Sequence, residues 1–98
     1  MKLRELKKDV KTLFAHMIGD GLLLSEIKND EKLSAEIEKM LHEAIDKRED
    51  LITRINHPEL RDKEISVKQY YSQIRQEVTD YFNNYYERIS QFIEDTNA

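Results

Sequence analysis

The sequence predicts an all-α fold: an antiparallel, up-down-up three-helix bundle with long helices over about 2–28, 30–56 and 66–94. Three observations lead there. Apolar residues recur at spacings of three and four along most of the chain. Only 2 glycines and 1 proline punctuate 98 residues, too few turn residues for an all-β domain or a Gly-rich nucleotide-binding fold. A composition of 39% hydrophobic and 37% charged residues suits amphipathic helices with one buried stripe and a wide solvated face. The length allows one domain, 1–98, because domains usually run about 100–150 residues.

The first helix opens at once. Leu3, Leu6, Val10, Leu13 and Met17 form its seam, and Phe14 and Ile18 widen it. Gly19-Asp20-Gly21 follows. A glycine inside a helix costs roughly 1 kcal/mol relative to alanine, so a kink is expected there. Leu22, Leu23, Leu24 and Ile27 nevertheless continue at helical spacing, so the helix is read as Lys2–Lys28.

Asn29 and Asp30 are natural N-cap residues for the second helix. Its stripe is Leu33, Ile37, Met40, Leu41, Ala44, Leu51, Ile52 and Ile55. Pro58 stops it, and His57 is pushed away from helical geometry by that proline. A polar connection over 58–65 leads to the clearest start in the chain. Ser66 and Gln69 form a capping box, with Ile65 and Tyr70 as its hydrophobic staple. The third stripe runs through Val67, Tyr70, Tyr71, Ile74, Val78, Tyr81, Phe82, Tyr85, Ile89, Phe92 and Ile93. Each helix spans about 40 Å, and short links between long helices force neighbours to run in opposite directions.

Charge bounds the partners. The net charge is −4, but it is uneven. Residues 1–18 hold five basic and two acidic residues, net +3; residues 19–57 are net −4 and residues 58–98 net −3. A positive first helix lying on two negative ones is the simplest reading, and nucleic-acid binding is disfavoured. No apolar run approaches the roughly 18 residues of a membrane span. The MKLRELKKDV opening is not a secretory signal, so no membrane association and a bacterial, cytoplasmic setting are expected. Cys is 0, which excludes a disulfide frame, a thiolate metal site and a cysteine nucleophile.

The familiar chemical signatures are missing. There is no phosphate-cradling glycine loop, no H-E-x-x-H and no Glu-x-x-His pair of the kind that holds metals in bundles. Glu38, His42 and Asp46 share one face and read as a solvated i,i+4 ladder. His57 reads as a cap at the negative end of the second helix. No catalytic residue, metal site or cofactor is expected.

Two features stand out. Leu22, Leu23 and Leu24 point in three directions, and a three-helix bundle cannot bury all of them. With Ile27 and the arc-edge residue Tyr86 they form the candidate interface. Arg48 falls within the apolar arc of the second helix, where a guanidinium must snorkel or find a carboxylate. Facing Tyr81 and Tyr85, it is the candidate ligand or buried-charge site. The function expected is a non-catalytic interaction or scaffolding module that forms a dimer or binds a partner protein. The alternative is a bundle that binds a small ligand or anion through Arg48 and the tyrosines.

The opening MKLRELKKDV, the Asn56-His57-Pro58 stop and the tyrosine-rich last helix resemble small all-helical bacterial proteins of unassigned function. That resemblance implies a helical bundle and transfers no active site.

Overall fold

A computed structural model describes residues 3–27 and 30–96, with side chains to 94. It consists of α1 (Leu3–Ile27), α2 (Glu31–Asn56), a 3-10 turn (Pro58–Leu60) and α3 (Val67–Thr96), with no strand among the described residues. Lys2, Lys28 and Asn29, named above as helix ends and cap, lie outside the described residues. The rod measures 49 × 19 × 18 Å.

The caps form as their chemistry requires. Asp30 Oδ1 accepts from the backbone N–H groups of Lys32 and Leu33 at 2.9 and 3.3 Å, satisfying two of the donors that a helix start leaves free. Before α3 the capping box is complete. Ser66 N–H donates to Gln69 Oε1 at 3.0 Å, and Gln69 N–H donates to Ser66 Oγ at 3.1 Å. Between them, Arg61 gathers the connection by donating to the carbonyls of Ile65 and Pro58.

α1 passes unbroken through both glycines, and neither has a positive φ. The glycines do not end the helix, in line with the reading of one helix across them. The cost of glycine is intrinsic and small, whereas helical residues on both sides are fixed by packing, and packing wins.

One core cluster joins the three helices. α1 contributes Leu6, Val10, Phe14, Met17 and Leu24; α2 contributes Leu33, Ile37, Met40, Leu41, Ala44, Leu51 and Ile55; α3 contributes Tyr70, Ile74, Val78, Tyr85 and Ile89. A fully buried side chain of the Leu, Ile or Phe size stabilises by roughly 1.5–3 kcal/mol. The α1 stripe is centred differently from the seam read in the sequence. Phe14 is fully buried, Leu13 and Ile18 flank it, and Leu3 is exposed.

Contacts fix how the elements follow one another. Along α3, Tyr70, Glu77 and Arg88 meet Arg54, Lys47 and Glu43 of α2, in opposite chain order. Tyr81, Tyr85 and Tyr86 meet Phe14, Met17 and Asp20 of α1, in the same chain order. This is the contact order expected of an up-down-up bundle. α1 packs most densely on α2.

Candidate interaction surface

The third helix is held to its neighbours by tyrosines. At one end, Tyr70 and Tyr71 donate to the carbonyls of Arg54 and Ile55 at 2.9 and 3.0 Å. These are carbonyls of the last turn of α2, where a helix leaves acceptors free; that of Arg54 also accepts from the His57 backbone N–H. At the other end, Tyr85 donates to the Met17 carbonyl at 2.6 Å. That carbonyl is reachable because of Gly21. A Cβ at position 21 would stand 2.6 Å from the Tyr85 hydroxyl and 2.7 Å from Leu41 Cδ2. Glycine is therefore required there for close approach, not for a special backbone angle. Gly19 differs: a Cβ there would meet nothing within 4 Å.

Burial, then neighbouring Tyr81 and Asp20, pushes the Tyr85 hydroxyl up to about 12. Tyr86 lies half-buried beside Phe82 and Tyr85 and donates to Asp20 Oδ2 at 2.5 Å. Burial and that hydrogen bond raise it well above the usual tyrosine value. Tyr86, named above in the candidate interface, is thus half-buried, and its hydroxyl is engaged within the chain.

The leucine run divides as helical geometry demands. Leu24 is 6% exposed, while Leu22, Leu23 and Ile27 are 51, 55 and 64% exposed. Leu24 faces α1's core side, two turns from Met17, and leaves the candidate interface. Leu22, Leu23 and Ile27 remain on the surface, next to Glu26.

The opposite half of α1 is basic. Among the described residues, Leu3, Arg4, Lys7, Lys8, Lys11 and Thr12 line an open groove of about 540 Å³. A second cleft of about 460 Å³ lies between the starts of α1 and α3, lined by Leu3, Val67, Lys68, Tyr71 and Ser72 among the described residues.

Arg48 is placed apart from the tyrosine chemistry proposed for it. Its side chain is 38% exposed, and its guanidinium lies 3.9 Å from Glu49, a distant exposed ion pair. The cation over Tyr81 is Lys47, 5.9 Å from the ring centroid, and Tyr81 stacks on Phe14. The hydroxyl of Tyr85 is already given to Met17.

The charge cluster that α2 and α3 do build lies elsewhere. Glu77 accepts from Lys47 at 2.6 Å and from Arg54 at 2.9 Å, and Arg54 also reaches Asp50. The Arg54 hydrogen bond, opposed by partial burial and aided by Lys47, holds the Glu77 carboxyl down at about 2. The same pairing raises Arg54 above its ordinary value. Sequence reading missed this cluster. Its only signal was that Lys47, Arg54 and Glu77 border their apolar stripes.

Two of the histidines serve local pairs. His42 lies 3.8 Å from Glu38 on an exposed face. His57 is the C-cap of α2, its backbone N–H donating to the Arg54 carbonyl at 3.3 Å, while its ring Nδ1 lies 2.8 Å from Glu59. Among the described residues, no three His, Cys, Asp or Glu side chains are grouped to hold a metal. No described helix is long and apolar enough to cross a membrane. No protein-family model matches this sequence, and neither a curated protein nor a solved structure matches it significantly.

Proposed function

We propose that this chain is a non-catalytic helical interaction module that self-associates through the exposed face of α1. One observation carries the reading. Leu22, Leu23 and Ile27 stand exposed at the end of a helix whose core positions are filled by other residues. Exposed apolar surface rimmed by polar residues is the kind that marks association sites. The absence of cysteine agrees with a reducing setting such as the cytoplasm.

The test is sedimentation equilibrium of the protein and of a Leu22→Glu, Leu23→Glu variant. Both positions are exposed, so the variant keeps its helical circular dichroism. The parent is expected at a multiple of 11.7 kDa and the variant at 11.7 kDa. An unchanged assembly in the variant, or a parent that stays monomeric at every concentration, would overturn the reading.

A further inference from the structure

The exposed face of α1 carries two unlike halves that fit each other. Near its end, Leu22 and Leu23 stand beside Glu26; residues 15–27 contain two acids, Asp20 and Glu26, and no lysine or arginine. Near its start lies the basic groove, whose lining includes Arg4, Lys8 and Lys11. Long side chains of this kind can cover apolar surface with their aliphatic stems while their charges stay in water. Leu22 lies about three turns from Lys11 and about five from Arg4, so all three share one flank.

On this basis, which rests on the self-association reading above, we propose that α1 pairs with α1 of a second copy. The pairing is antiparallel, and a two-fold axis passes near Ala15. That axis sets Leu22 of each copy level with Lys8 of the other, and Glu26 level with Arg4. One operation satisfies both halves at once, as an isologous interface requires. A parallel pairing would set basic groove against basic groove and leave the leucines without it. The exposed residues at the crossing, Ala15 and Gly19, are small, and beside Gly19 there is open space for a second helix. Asp20 is not needed, since it already accepts from Tyr86.

Two measurements test the pairing. The first is the dimer dissociation constant of Arg4→Glu and of Arg4→Glu with Glu26→Lys. Each charge contact occurs twice across the axis, so the single variant is expected to weaken the dimer about tenfold and the double variant to restore it to within about threefold. The second uses the cysteine-free background: Ala15→Cys is expected to oxidise to a covalent dimer, and Asn83→Cys, exposed on α3, is not. Suppose the parent dimerises and Leu22→Glu, Leu23→Glu abolishes it, yet Arg4→Glu is silent and Ala15→Cys does not cross-link. The antiparallel α1 pairing is then overturned while the module reading stands. A parent that never associates overturns both.

Discussion

Gly21→Ala and Gly19→Ala are the same substitution in the same helix, two residues apart, and the structure predicts opposite outcomes. Each gains roughly 1 kcal/mol of intrinsic helix propensity. At position 19 nothing lies within 4 Å of the added methyl, so the gain is retained. At position 21 the methyl would fall 2.6 Å from the Tyr85 hydroxyl and 2.7 Å from Leu41 Cδ2. Overpacking of this kind costs roughly 1–3 kcal/mol. The Tyr85 ring is buried, so its hydroxyl cannot swing to water. Moved off the Met17 carbonyl, it forfeits about 1–3 kcal/mol more. The net for Gly21→Ala is a loss of roughly 1–5 kcal/mol, and for Gly19→Ala a gain of about 1 kcal/mol. Urea denaturation, run at a dilution where the mass is that of one chain, reads both directly. In thermal melts at the same dilution, midpoint temperatures should move by about 4–8 °C for each kcal/mol in a chain this size. A Tyr85→Phe background isolates the cause: it removes the hydroxyl contact and leaves the Leu41 contact, so Gly21→Ala should cost less there. Equal stabilisation by both alanines, or an undiminished penalty beside phenylalanine, would refute the steric argument.

Other outcomes follow from the charges and caps. Glu77 titrates near 2 in the folded chain against 4.5 for a free side chain, so its contribution is complete above pH 4.5 and is lost as pH falls toward 2. Its side chain is 35% exposed, so screening cuts that contribution to about 1 kcal/mol. Denaturation of Glu77→Gln between pH 2 and 7 should show the parent's advantage narrowing in that acid window. Tyr85 has its proton held to about 12 rather than 10, so it contributes stability below pH 10 that is lost as pH rises toward 12. Absorbance titration of phenolate should find fewer than five tyrosines ionising at the ordinary value, and Tyr85→Phe should remove a late-titrating group. Ser66→Ala removes the cap of α3 and should cost about 1 kcal/mol by urea denaturation, with Ser66→Asp largely sparing it.

Sequence alone resolved what is decided locally. The Ser66–Gln69 box needs only residues three apart, and both of its bonds form. Asp30 caps α2 for the same reason. The helix ends agree with the reading to within two residues where they are described. What escaped depends on how one helix is set against another. Gly21 looks like a helix breaker until Tyr85, sixty-four positions later, is placed against it. Glu77 is one acid among 20 until the pairing of α2 and α3 sets it between Lys47 and Arg54. A helical wheel put Arg48 in the apolar arc, but it cannot say how deep that edge of the arc lies. Leu22, Leu23 and Leu24 were seen as a surplus, yet which of the three enters the core required the angle at which α1 meets its neighbours.

The tyrosine fastenings have a consequence for how this chain can change. Tyr70, Tyr71 and Tyr85 give their hydroxyl protons to the oxygens of Arg54, Ile55 and Met17, and those oxygens belong to the main chain. Any amino acid at the receiving positions presents the same oxygen, so what constrains Arg54, Ile55 and Met17 is their packing and pairing rather than the latch itself. All the specificity is vested in the donor, and in the vacancy that glycine keeps open at position 21. Tyr86 is the exception, because its acceptor is the side chain of Asp20. That latch can be lost by a single change on either helix, and it sits nearest the exposed leucines.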